Sequence, residues 1–421
     1  SIAASATKAW SGGLSAQNCM PDDVEYPCTP AKRAGHSAVA VDGRYIYLFG
    51  GYTAVWTWVD TFNACSPSTS NHYCMTTNNP NSAAEARDED RDYDIFTPTN
   101  ILSVLDTKGG TSGFDPVWAK PITTGTAPSA RANHVAVLIG SDMYIHGGDA
   151  FASKGVGADQ LADLHRLDTS TKTWSGPLTP SGTPPGKRAG HSAVAVDGRY
   201  IYLFGGYTAV WTWVDTFNAC SPSTSNHYCM TTNNPNSAAE ARDEDRDYDT
   251  FTPNNELFIL DTKGGTSGTD LVWSTPTTLG SPPPSARAGH ITVLIGTDMY
   301  IHGGSTYNTK GIGATQLADL YRFNTITKTW SAGLTPTGTL PGKRAGHTGV
   351  TVGDRYIYFF GGYTAVWTWV DTFNACSAST SWSNCMTTNN PNSGVEARDE
   401  DRDYDTFTPN NELFILDTKG G

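Results

Sequence analysis

Residues 33–94 and 188–249 are the same 62 amino acids in the same order, and a close third version starts at Arg344. A chain that repeats itself after 155 and again after 156 residues is restricted to architectures in which like units stack on one another, because no single unit buries its apolar face alone. Each period holds two related units. The longer, type A, begins at Arg33, Arg188 and Arg344 with Arg-Ala-Gly-His, passes through RYIYLFGGY or RYIYFFGGY, and then carries a long insert and a second apolar strip. Its first two copies reach a tryptophan, Trp118 and Trp273. The shorter, type B, begins at Arg131 and Arg287, contains DMYIHGG and ends at Trp174 and Trp330 after ADLHRLDTSTKTW or ADLYRFNTITKTW.

Within SAVAVD and RYIYLF, small or polar residues alternate with apolar ones, which is the period of a strand with one buried face. Gly50-Gly51 then ends the second strand, since glycine tolerates the turn and bulge conformations that a side chain forbids. With 43 Gly, 24 Pro and no sustained 3.6-residue period, helix is expected to be scarce. No stretch approaches eighteen uninterrupted apolar residues, so no membrane span is expected. The 28 basic and 41 acidic residues leave a net charge of −13, which repels a phosphate backbone and argues against nucleic acid as a partner.

A strand, a hydrophobic strand ending in Gly-Gly, an aromatic-containing strand and a tryptophan at set distances, as in Gly303-Gly304, Tyr321 and Trp330, resemble the kelch repeat. The resemblance implies an all-β, kelch-type β-propeller over residues 1–421, with five repeats visible and six if the chain continues. Stacking small four-stranded sheets around an axis buries both faces of each, which favours the same architecture. The departure from the usual repeat is the insert of each type A unit, residues 53–99, 208–254 and 364–410, far longer than ordinary hairpin loops. In an antiparallel blade the second-to-third connection and the blade-to-blade connection emerge at one end. All three inserts are therefore expected on one face of the disc. Galactose-oxidase-like copper enzymes share the kelch propeller, but no unique Tyr/His/Cys constellation stands outside the repeat, and the expectation is a protein that is not an enzyme.

Eight cysteines form four pairs of equal spacing, Cys19 and Cys28, Cys65 and Cys74, Cys220 and Cys229, Cys376 and Cys385. Equal local pairs in Ser/Asn/Pro-type loops suit disulfides made in an oxidising compartment, which would pin the inserts and make the protein secreted. Free buried thiols are the alternative; zinc fits poorly without Cys-x-x-Cys. The opening SIAASATKAW has no basic region followed by an apolar one, so any secretion signal is expected to be removed or to lie outside this sequence. Asn63, Asn218 and Asn374 begin Asn-x-Cys, and the Thr/Ser/Pro-rich connections suit O-linked sugars, so a glycoprotein is a further expectation.

Each insert ends in an acidic run: Asp88, Asp90, Asp92 and Asp94; Asp243, Asp245, Asp247 and Asp249; Asp399, Asp401, Asp403 and Asp405. Carboxylates at every second position can converge on a hard cation, and calcium is the candidate. Tyr93, Tyr248 and Tyr404 stand where a calcium loop needs glycine, so the competing reading is a solvated segment neutralised by its own arginines, Arg87 and Arg91 in the first copy. Trp56 and Trp58, Trp211 and Trp213, Trp367 and Trp369 follow Gly-Gly at i and i+2, one side of a strand. Such pairs form a platform for a sugar ring or a partner protein, or they pack the insert onto its own blade. His36, His134, His191, His290 and His347 recur in every repeat, as do His146 and His302 in type B. Recurrence fits hydrogen-bonding scaffold groups better than a catalyst, which is needed once.

The unit starting at Arg344 reaches Asp417 without a tryptophan strand, while TKAWSGG around Trp10 resembles TKTWSG around Trp174. The expectation is that residues 1–14 supply the fourth strand of the last blade and close the ring. The rivals are a sixth, type B blade absent from this sequence, or strand exchange with a neighbouring molecule. Several equal copies of one surface suit a secreted structural or adhesive protein working through protein partners or self-association, as in an extracellular fibre or surface layer. A carbohydrate-binding propeller using the Trp pairs is the alternative, and a secreted oxidase or hydrolase the weakest reading.

Overall fold

Tyr45–Phe49 shows how the repeat builds its blades: YIYLF is strand-forming, and Tyr47 and Phe49 are buried on one side of the sheet. The computed structural model describes residues 29–57, 93–109, 116–151, 158–212, 248–264, 270–307, 314–368 and 404–419. The eight cysteines, the Trp10 strand, Trp58, Trp213, Trp369 and all acidic-run residues except Asp94, Asp249 and Asp405 lie outside them.

Blade 1 is Ser37–Val41, Tyr45–Phe49, Leu102–Asp106 and Val117–Ala119, each strand antiparallel to the next. Blade 2 is Val135–Ile139, Asp142–Phe151, Ala158–Asp168 and Thr173–Leu178. Blade 3 repeats the pattern with Ser192–Val196, Tyr200–Phe204, Leu257–Gly264 and Asp270–Ser274. Blade 4 does so with Ile291–Ile295, Asp298–His302, Leu320–Asn324 and Thr329–Trp330. Blade 5 has three strands among the described residues, Thr348–Val352, Tyr356–Phe360 and Leu413–Asp417.

Three blades hold a strand that four-stranded repeats do not anticipate. Thr124–Gly125, Ser181–Gly182 and Leu279–Gly280, each on the connection from the preceding blade, pair in parallel with the outer strands of blades 2, 3 and 4. They cover an edge that would otherwise offer unpaired backbone groups. Gly125 makes this approach feasible: its φ is 78°, and a Cβ there would meet the Trp174 carbonyl oxygen at 2.1 Å.

The core lies between blades. The face of blade 1 that looks toward blade 2, with Val41, Phe49, Leu102 and Val104, packs on Met143, Ile145, Leu167 and Trp174. Blades 2 and 3 meet through Val137, Tyr144 and Leu164 against Leu203, Leu260 and Trp273. Blade 3 meets blade 4 with the same chemistry as the first joint, Phe204, Leu257 and Ile259 against Met299, Ile301 and Trp330. Ile357 and Phe359 of blade 5 close on Ile291, Val293 and Tyr300 of blade 4.

Above the Gly-Gly step every blade continues into a second tier. Tyr52–Thr57 pairs with Tyr93–Pro98, Tyr207–Thr212 with Tyr248–Pro253, and Tyr363–Thr368 with Tyr404–Pro409. The type A inserts thus rise on two-stranded ribbons. Type B blades carry shorter equivalents, such as Ser305–Tyr307 with Ala314–Gln316.

Candidate interaction face

The ribbons, the blade-to-blade connections and the Arg-Ala-x-His segments share one end of the propeller. Arg131 is fully buried there, donating to the Gly147 carbonyl at 3.0 Å and, through its two terminal nitrogens, to both oxygens of Asp163 at 2.6 and 2.8 Å. Arg287 repeats this with Gly303 and Asp319. In type A the partners change: Arg188 donates to the Gly205 carbonyl, Asn254 and Glu256, and Arg344 to Gly361, Asn410 and Glu412. Arg33 bonds Gly50, but Thr99 and Ile101 stand where the other type A blades have Asn and Glu.

The recurrent histidines tie each blade to the one before. Ser37 and Ser192 meet Nε2 of His134 and His290 at 2.6 and 2.7 Å. Nδ1 of His146 and His302 meets Nε2 of His191 and His347 at 3.2 and 3.0 Å, one ring of each pair donating to the other. Burial, reinforced by the neighbouring arginines, holds His134, His146 and His290 down to about 3 and His302 to about 4. These are neutral scaffold groups, as their recurrence suggested. Backbone bonds complete the ties: the amides of Gly51, Gly148, Gly206 and Gly304 each donate to the carbonyl of the next blade's arginine.

Closer to the axis, blade 2 departs from the repeat. Asn133 and Asp149 stand where blade 4 has Gly289 and Ser305. Asp149 is buried and accepts hydrogen bonds from Asn133 at 2.9 Å, Gln160 at 2.9 Å and the Tyr207 hydroxyl at 2.7 Å. Burial raises its pKa, against the pull of those three donors. Burial likewise raises Tyr52, with the charge of Asp149 adding to it, and raises Tyr363, with Tyr52 adding. Tyr207, at the foot of its ribbon, thus bonds Asp149, and Tyr52 and Tyr363 hold the same position in the other two ribbons.

Gln160 has a second role. Its Oε1 accepts the Ala209 amide at 3.0 Å, and Gln316 accepts that of Ala365 at 3.3 Å, so each type B glutamine fastens the ribbon of the following type A blade. Sequence reasoning missed both glutamines, although Gln160 and Gln316 recur in GADQLADL and GATQLADL.

Of the residues expected to act in binding, Trp56, Trp211 and Trp367 lie in the ribbons, directly opposite Asp94, Asp249 and Asp405. The tryptophan position and the last residue of the acidic run are therefore cross-strand partners in all three inserts. Among the described residues, no group of three or more His, Cys, Asp or Glu is placed to hold a metal ion, and no helix is long and apolar enough to cross a membrane.

Blades joined by a repeated Arg–Gly and His tie, crowned at one end by two-stranded ribbons, define a β-propeller suited to protein–protein interaction. The family model described as the KLHDC2/KLHL20/DRC7 Kelch-repeats domain matches residues 25–246 and 243–399, and the chain belongs to this kelch-repeat family. It is similar to Kelch domain-containing protein 1 of Homo sapiens, 24% identical over 344 residues, covering 82% of this chain and 66% of that protein. Kelch domain-containing protein 3 of Bos taurus is 29% identical over 346 residues, covering 80% of this chain and 62% of that protein. The chain thus spans just under two thirds of the length of these relatives. A solved structure, "Structure of YjhT", aligns with a TM-score of 0.44 and 18% identity, covering 80% of this chain and 74% of that one.

Proposed function

We propose that this propeller is a non-catalytic, multivalent binding scaffold that works by presenting its three ribbon-borne inserts to protein partners, further copies of itself included. The observation that carries the reading is the crown of ribbons: three ribbons of like sequence rise from one end, two of them fastened to a neighbouring blade by Gln160 or Gln316. Repetition of one surface multiplies weak contacts through effective concentration, which a single asymmetric site does not need. The setting proposed is extracellular, with the four cysteine pairs as local disulfides and the assembly a fibre or surface layer.

Replacing residues 213–247 with an Asn-Gly turn, and the two other inserts likewise, tests this. The expected result is assembly by the intact protein, read by sedimentation and negative-stain microscopy, and its loss in the triple variant with the melting temperature of the blades retained. Undiminished assembly would overturn the reading, and selective binding to a glycan array would replace it with the carbohydrate one. Calcium at the acidic runs belongs to the proposal. Calorimetry should register saturable binding, and calcium at a hundredfold excess over Kd should add about 2.7 kcal/mol of stability that a chelator removes.

A further inference from the structure

The two kinds of joint between blades differ by one exchange at the residue before Gly-Gly. Type A blades 1 and 3 carry phenylalanine there with serine as its cross-strand partner, Phe49 with Ser37 and Phe204 with Ser192. Type B blades carry histidine with a β-branched partner, His146 with Val135 and His302 with Ile291. The histidine of the following blade meets whichever ring stands there, edge on. His134 meets Phe49 and His290 meets Phe204 with centroids 5.5 and 5.4 Å apart, while His191 meets His146 and His347 meets His302 at 5.2 and 5.0 Å. A joint from type A to type B thus encloses one imidazole bonded to a serine hydroxyl. A joint from type B to type A encloses two imidazoles bonded to each other.

Added acid acts differently on the two. A serine hydroxyl accepts from an imidazolium as well as from a neutral ring, so His134 and His290 keep that partner when charged. In the histidine pairs one ring must stay an acceptor, and a proton on each ends the bond and sets two like charges side by side. The other nitrogen of each ring, Nε2 of His146 and His302 and Nδ1 of His191 and His347, is buried with no hydrogen-bond partner among the described residues. Arg131, Arg188 and Asp163 face the first pair, with His134 and His290 beside His191. Arg287, Arg344 and Asp319 face the second, with His290 beside His347. Two guanidinium groups against one carboxylate oppose a further cation at either pair. The type A to type B joints are also tied by Lys172 and Lys328, which donate to the hydroxyls of Tyr47 and Tyr202 with the ring centroids 4.7 and 4.8 Å away. Lysine donors lose nothing to added acid.

We infer that the two type B to type A joints, between blades 2 and 3 and between blades 4 and 5, are acid-released seams that loosen at mildly acidic pH while the other two joints hold. Opening such a seam hands two imidazoles to water, against one at a type A to type B joint, and each takes up a proton below about pH 6.5. Burial holds all four paired rings below the ordinary histidine value, so the open seam binds these protons first and the closed seam loses stability as pH falls. Asp149 works the other way at the blade 2–3 seam: burial raises its pKa, and its protonation favours the closed form. Ser305 stands in its place in blade 4, so the steeper loss is expected between blades 4 and 5. Gln160 and Gln316 fasten the ribbons of blades 3 and 5 across these same two seams. Mild acid therefore also frees those ties of the crown; what that does to partner binding rests on the role proposed above, whereas the opening of the seams does not.

Four amides report the four joints, one each: Gly51 donates to the Arg131 carbonyl, Gly148 to Arg188, Gly206 to Arg287 and Gly304 to Arg344. Hydrogen exchange of the intact chain is read at these amides and corrected for the intrinsic effect of pH. Protection at Gly304 should fall about 100-fold from about pH 6 to pH 5, two protons per opening, against about 10-fold at Gly51 and Gly206. Gly148 should lie between, because of Asp149. His302→Phe with Ile291→Ser writes the type A pair into blade 4 and should reduce the loss at Gly304 to about 10-fold. Phe204→His with Ser192→Val writes the type B pair into blade 3 and should raise the loss at Gly206 toward about 100-fold. Protection at Gly304 falling no faster than at Gly206 in the unaltered protein would overturn the proposal without any variant having to fold. Slopes that stay with the joint when the pairs are exchanged would overturn it too. None of these readouts involves assembly, so a chain that never assembles can still have acid-released seams.

Discussion

Arg131 and the buried histidines set how each blade tolerates change at the level of single side chains. Replacing Arg131 by leucine leaves Asp163 without its charged partner and the Gly147 carbonyl without a donor, and should cost about 3–5 kcal/mol in chemical unfolding. Ile101→Glu would give Arg33 the carboxylate that Arg188 and Arg344 already have, and should raise stability by at most about 1 kcal/mol, since such a glutamate is largely exposed. The histidines predict acid sensitivity. Each binds a proton more readily unfolded than folded, because burial lowers its folded pKa from 6.5 to about 3 or 4. The unfolded state gains protons first, so stability is lost as pH falls below 6.5, at about 1.4 kcal/mol per pH unit for each such histidine. Melting curves from pH 7 to 4 should therefore decline from about pH 6.5, well above the carboxylate range. A flat profile down to pH 5 would show that the rings are not buried as neutral groups.

At the level of elements, the blade strands were legible because period-2 alternation and Gly-Gly recur five times, and each recurrence checks the others. The ribbons were harder to see, because Tyr52–Thr57 continues as a strand past a glycine pair that reads as an ending. The parallel outer strands, two residues each, fall below any periodicity. Asn133 and Asp149 went unnoticed because a buried acid is identified by its donors, Gln160 and Tyr207 among them, which lie far away in the chain. Gln160→Ala removes one donor to Asp149 and the acceptor for the Ala209 amide. Amide exchange in Tyr207–Thr212 should quicken while global melting shifts by only about 1–2 kcal/mol, one or two net hydrogen bonds. Unchanged exchange there would mean that the ribbon stands without this tie.

For the whole molecule, four joints of two alternating kinds hold the five blades among the described residues, and each buries the apolar face that one sheet could not hide alone. Stability should therefore be distributed: Leu260→Ala, at the centre of the blade 2–3 joint, should cost about 2–5 kcal/mol and loosen blades 2 and 3 before blade 5 in hydrogen exchange. The fold class was legible from the repeat, whereas the pairing of faces at each joint was not, since a sequence displays faces and not what meets them.

Among the described residues, a lysine lies over a tyrosine ring where a type B blade follows a type A blade, Lys172 on Tyr47 and Lys328 on Tyr202. A change in the number of units by one A–B pair, 155 or 156 residues in register, leaves every remaining contact between kinds already present. The loss or gain of a single unit sets like against like and strands a tyrosine without its cation. Recombination between the near-identical segments around Arg33, Arg188 and Arg344 shifts the chain by such pairs, so this protein can change its length in steps that its interfaces do not register.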